Sequence, residues 1–222
     1  MRTSFDTIGK TTLAGLLLLV TGAAQAALIS PFFDRTDFVN ATGATSLTGP
    51  LPDLAGSQGT SVTLGDATLT AGNSIFVGTG WSTLLPNQRA IAISGPENLT
   101  VAINTGPVNA FGFYFHEPGS STAQLNGCNT VCVESTFRVD LLLNNVLVDS
   151  SVTFSSANDT AVFIGLLYDV LFDEVRFTEI VGTNDNEFYG EMFAGVAVPA
   201  PATLLLFGAG LLGFGVTGRS RR

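Results

Sequence analysis

Lysine is almost missing from this chain. Lys10 is the only one in 222 residues, and between residues 27 and 197 the cations are Arg35, Arg89, Arg138 and Arg176 alone. The same stretch holds 17 acidic residues, so its net charge is near −13. A surface of that sign repels phosphate backbones and anionic headgroups. Nucleic acid is excluded as a partner, which leaves neutral polymers, cations and basic surfaces. Histidine is equally scarce, with His116 the single copy, and the only cysteines are Cys128 and Cys132. One imidazole and two thiols cannot supply the four ligands of a structural zinc site. No Gly-x-Ser-x-Gly elbow occurs, which removes the serine hydrolases built on it. His116 precedes Glu117, a pairing that suggests acid–base chemistry, but both lie at the end of an apolar strand pattern just before Pro118-Gly119. We read His116 as a turn residue. No pair among the 17 acids stands out as the facing carboxylates of a glycosidase. The expectation is a protein that is not an enzyme.

What the chain does have is concentrated at its two ends. Arg2 and Lys10 open it with positive charge, Leu13 to Val20 is an apolar core, and Ala24-Gln25-Ala26 places small residues three and one positions before a cleavage point. That order defines a secretory signal peptide over residues 1–26, removed by signal peptidase after Ala26. At the other end, residues 198–222 begin with the rigid Val198-Pro199-Ala200-Pro201. An uncharged run from Ala202 to Gly218 follows, and Arg219, Arg221 and Arg222 come last. As a transmembrane helix, 202–218 spans about 25 Å against a hydrocarbon core of about 30 Å, short but workable with snorkelling arginines. Positive charge stays on the cytoplasmic side, so the body faces outward. In an oxidising compartment Cys128 and Cys132 form a local disulfide; closing so small a loop contributes only about 2 kcal/mol.

Between the ends, residues 27–197 read as one domain with strand signals almost throughout. Short segments alternate with glycine and asparagine turns: Ser61–Leu64, Ala67–Thr70, Ser74–Val77, Arg89–Ser94 and Leu99–Asn104. Val108–Phe115 places Phe111, Phe113 and Phe115 on one face. Phe137–Leu143 and Val146–Phe154 flank Asn144-Asn145 and predict a hairpin. Ala161–Leu167, Glu174–Ile180 and Phe188–Val196 complete the set. About ten short strands at regular spacing predict a single antiparallel β-sandwich. Seventeen phenylalanines against three tyrosines and one tryptophan suit a dry core between two sheets. One short helix is expected near Asp34–Thr42, with Phe33, Phe38 and Val39 sharing a face. The stretch from Gly43 to Gly59 reads as a loop.

Two binding chemistries are open in the body. Calcium takes carboxylates and carbonyls from irregular loops. Thr183-Asn184-Asp185-Asn186-Glu187 supplies Asp185, Glu187 and two amides, and Asp34 and Asp37 would join them if the terminal strands pair. The plain alternative is a solvated acidic turn. For sugars, Trp81 in Gly80-Trp81-Ser82 and Tyr189 beside the acidic turn are the candidate stacking platforms. A tryptophan in that setting serves equally well as a core plug.

The tail resembles the PEP-CTERM sorting signal, in which Pro-Glu-Pro, an apolar helix and a basic end follow one another. The match falls on Pro199, Ala200 and Pro201, with Ala200 where the family has glutamate, and on the basic cluster Arg219, Arg221 and Arg222. The resemblance implies an exported protein of a Gram-negative bacterium. It would be held in the inner membrane until exosortase, an integral-membrane cysteine protease, acts near the prolines and passes the body to a surface or matrix rich in exopolysaccharide. The body is similar to jelly-roll-like β-sandwich domains of exported envelope proteins, on Ala110-Phe111-Gly112-Phe113, Phe163-Ile164-Gly165 with Phe172, Val175-Arg176-Phe177 and Asp185-Asn186-Glu187-Phe188. Such domains carry carbohydrate-binding or purely structural roles and often hold calcium.

Overall fold

A computed structural model describes residues 27–118, 135–182 and 187–197. The expected signal peptide 1–26, the expected transmembrane run 202–218, both cysteines and Asp185 all lie outside the described residues. Two antiparallel sheets face each other, as the strand pattern predicts. The first holds β1 (Leu28–Phe32), β11 (Thr160–Phe172), β8 (Val108–Glu117), β13 (Phe188–Gly195), β6 (Arg89–Ile93) and β5 (Ile75–Thr79) in that spatial order, with β2 (Thr45–Ser46) also pairing β13. The second runs β10 (Val146–Ser155), β9 (Thr136–Leu143), β12 (Glu174–Val181), β7 (Leu99–Ile103), β4 (Ala67–Ala71) and β3 (Ser61–Leu64).

Period-two alternation builds the core. Phe111, Phe113 and Phe115 of β8 are fully buried and point at the second sheet, where they meet Phe137, Phe154 and Phe177. Val139 and Leu141 of β9, Leu99 and Val101 of β7 and Leu69 of β4 fill the same space. The predicted hairpin joins β9 to β10 through Asn144 (φ +51°) and Asn145 (φ +64°). Positive φ at both central residues matches the right-handed twist of the flanking strands, and asparagine is among the few side chains that tolerate it.

The helix is α1 (Arg35–Thr42), and Asp34 caps it by accepting from the backbone N–H of Thr36 at 2.7 Å and of Asp37 at 3.0 Å. Phe38 is its buried anchor, seated on the outer face of the first sheet over the paired glycines Gly112 and Gly165. A Cβ at Gly165 would stand 2.6 Å from the Phe38 ring, and one at Gly112 would stand 2.7 Å from Phe163, so the ring needs both glycines. Phe33 does not share the helix face as expected. It precedes the cap and is 78% exposed.

Candidate functional site

Five segments converge at one end of the space between the sheets. Glu97 comes from the turn before β7, Glu117 ends β8, Ser135 precedes β9, Glu179 lies in β12, and Glu187 precedes β13. Glu97, Glu117 and Glu187 have no solvent exposure. The Ser135 hydroxyl donates to Glu187 and reaches Glu179 at 3.4 Å. Burial, with the negative charges of Glu187 and Glu179 beside it, pushes the Glu97 carboxyl up to about 10. Glu97 is therefore neutral at pH 7. Arg138 forks onto Asp140 at 2.7 and 2.9 Å, and Arg176 pairs with Glu174. Arg89 donates to the Leu51 carbonyl, while Arg35 lies 4.7 Å over the Phe193 ring.

Tyr189 ties this end to the core. Its ring packs 5.3 Å from Phe177 and 5.6 Å from Phe115, and its hydroxyl donates to the Glu97 carbonyl at 2.8 Å. It has no exposed surface, and burial, followed by the nearby carboxylates, raises its phenol well above the usual range. The expectation of a sugar platform at Tyr189 is therefore corrected: an amphipathic residue next to an acidic turn turned inward because the turn's own carboxylate is buried. Trp81 is half-buried with its ring 5.2 Å from Phe76, packed against Leu85, Ala90, Ala92 and Phe188, so it plugs a small outer cluster.

His116 is a strand residue, not a turn cap. It is fully buried, its Nδ1 lies 2.8 Å from the Ser82 hydroxyl, and burial lowers its pKa. Glu117 follows it on the same strand and so faces the opposite side of the sheet. The two cannot work on one substrate. Of the expected calcium ligands Asp185 lies outside the described residues, and Asp34 and Asp37 are set apart from Glu187. Asp34 is occupied in capping α1, Asp37 sits in that helix's first turn, and β1 is separated from β13 by β11 and β8. Among the described residues no three His, Cys, Asp or Glu side chains are placed to hold a metal ion.

A concavity lies along the edges of both sheets, between β1, β11 and β10. This groove of about 760 Å³ is lined by Phe33, Pro31, Val162 and Phe154 with the hydroxyls of Ser151, Thr153 and Ser155, and among the described residues no charged side chain lines it. Phe33 is the one strongly exposed aromatic among the described residues. Sequence reasoning missed it because it was assigned to the helix.

The junction with the tail is equally well defined. β13 ends at Gly195, and Ala197 is held by the buried side chain of Asn109 in β8. Asn109 Nδ2 donates to the Ala197 carbonyl at 2.8 Å, and the Ala197 N–H donates to Asn109 Oδ1 at 2.7 Å. From that residue onward the chain matches a known family: residues 197–222 fit the PEP-CTERM protein-sorting motif. No curated protein matches the chain. Among solved structures it is similar to a family 29 carbohydrate-binding module, at 12% identity and TM-score 0.39 over 71% of this chain and 98% of that one. It is also similar to the C-terminal family 22 carbohydrate-binding module of a Clostridium thermocellum protein, at 12% and 0.40 over 67% and 96%. A family 22 xylan-binding domain gives 13% and 0.40 over 66% and 97%. At this identity and overlap nothing of their ligands carries to this chain. The chain carries a PEP-CTERM protein-sorting motif, which marks a secreted, membrane-transiting protein processed at its C-terminus, and the motif joins an antiparallel β-sandwich without a spacer.

Proposed function

We propose that this is an exported, non-catalytic component of a Gram-negative cell surface or biofilm matrix, delivered by its tail. Signal peptidase frees the N-terminus after Ala26. The apolar run 202–218 halts in the inner membrane, with Arg219, Arg221 and Arg222 fixing its topology. An exosortase-type protease then acts near Pro199–Pro201 and hands the sandwich to an exopolysaccharide-rich envelope. The observation that carries this reading is the motif match over residues 197–222, set directly after the last strand. A non-catalytic body is supported by the burial of His116 and its opposite facing to Glu117. The test is intact mass and subcellular fraction from the native host, with a tag placed after Ala27. A body shortened to the Pro199–Pro201 region and found outside the cell is expected. A full-length chain in the inner membrane would replace this reading with a plain single-span anchor.

A second reading from a different class is that the body binds neutral glycan. The groove beside Phe33 favours it: an exposed ring offers a stacking face, and the hydroxyl row Ser151, Thr153, Ser155 follows one side of β10. Affinity electrophoresis through a panel of neutral polysaccharides, including the host's own, should retard the body. Phe33→Ala should lose that retardation without loss of fold. Equal mobility of both proteins in every gel removes this reading and leaves the sorting function untouched.

A further inference from the structure

Asn109 is out of place by the logic of its strand. Its neighbours Val108, Ala110 and Phe111 are apolar and buried, asparagine is depleted in strands, and a buried amide is costly unless paired. What it pairs with is a single residue, Ala197, through both its donor and its acceptor. The β13–β8 ladder ends at the register pair Gly195↔Ala110, and Val196 beyond it is 59% exposed. The chain would leave the sheet there. Instead the side-chain amide acts as a short length of extra strand and holds Ala197 at 7% exposure. The residue that is held is the first residue of the sorting motif.

We infer that Asn109 is a positioning residue that sets the spacing between the folded body and the processing site. With the clamp closed only Val198 separates the held Ala197 from Pro199, a reach of at most about 7 Å. With it open the chain is free after Gly195, and the reach grows to at most about 14 Å. A protease embedded in the membrane must draw an extended stretch of substrate into its cleft, and a closed clamp presses the body against that cleft. Clamp opening therefore gates cleavage. This inference rests on the reading that the tail is processed, so its test needs a readout that does not depend on the host protease.

Three chains are compared: the natural sequence, Asn109→Val, and a chain with Gly-Ser-Gly inserted between Ala197 and Val198. Valine suits a strand but can neither donate to nor accept from Ala197, and the insertion lengthens the tether while leaving the clamp intact. Two rates are measured: precursor processing in the native host by pulse-chase and intact mass, and cleavage of the detergent-solubilised full chain by a soluble protease in the segment 197–201. Removing two buried hydrogen bonds should speed the soluble cleavage of Asn109→Val about tenfold. Host processing of both variants should rise in the same direction. Soluble cleavage of Asn109→Val at the natural rate, with the protein still folded, overturns the clamp. Faster soluble cleavage with unchanged host processing of both variants overturns the gating. If the natural chain is never processed in the host, the sorting proposal falls, while the soluble rates still decide whether Asn109 holds Ala197.

Discussion

The middle of the sandwich and its acidic end are built on opposite terms. In the middle, Phe111, Phe113, Phe115, Phe137, Phe154 and Phe177 meet ring to ring, and every contact removes apolar surface from water. At the end, Glu97, Glu117 and Glu187 are just as buried, and burial beside Glu187 and Glu179 makes Glu97 shed its charge. Tyr189 belongs to both, with its ring in the first region and its hydroxyl in the second. The contrast separates two kinds of burial: one stabilises the fold at any pH, and the other is conditional on protons.

The sharpest way to test the unconditional half is Phe113→Ala. The Phe113 ring lies 4.7 Å from Phe177, 5.2 Å from Phe154 and 5.9 Å from Phe111, so both sheets lose a shared contact and a cavity opens between them. A loss of about 3–5 kcal/mol is expected, read as a lower denaturant midpoint, and the loss should be the same at pH 5 and pH 8. A cost below about 1 kcal/mol would mean that the two sheets are held mainly at their edges, and the contrast would collapse.

The two regions also differ in how far the sequence discloses them. Alternation along Val108–Phe115 reveals the inward face because a strand's period is fixed by its geometry, and Asn144-Asn145 reveals the hairpin because few residues tolerate positive φ. The tail is legible for a similar reason: its charge and apolar order are local in the chain. The acidic end is not local. Its members are drawn from residues 97, 117, 135, 179 and 187, and each reads alone as a solvated acid or a loop serine. Tyr189 was misplaced by the same route, since the neighbouring acids suggested a wet surface. Phe33 was misplaced by one residue of helix phase: Asp34, by capping, ends the helix just short of it. Asn109 left a usable signal, an amide between apolar neighbours in a strand, but its partner lies 88 residues away.

The conditional half is tested by Glu97→Gln, a smaller effect with a definite sign. The Glu97 carboxyl is raised in the folded chain from an ordinary 4.5 to about 10, so its protonated form is bound more tightly by the folded state than by the unfolded one. The stability it contributes is complete below about pH 4.5 and declines as pH rises through about 10. The slope for one such proton is at most about 1.4 kcal/mol per pH unit. The helix cap Asp34 and the Thr79-bonded Asp53, whose carboxyls those hydrogen bonds hold below the usual range, are fully ionised in both states above about pH 6. Raised phenols such as Tyr189 begin to matter only near the ordinary tyrosine range, about pH 9–10. Above about pH 8 the buried His116, whose pKa burial lowers, is neutral in both states, so between about pH 8 and 9 the slope reports Glu97 and the acids beside it, Glu187 and Glu179. Denaturant midpoints across that window should fall for the natural chain and stay nearly level for Glu97→Gln, because an amide cannot ionise. An unchanged slope in the variant would move the shared proton to another carboxyl of the cluster. A natural chain with no slope would mean that the acidic end is as unconditional as the aromatic core.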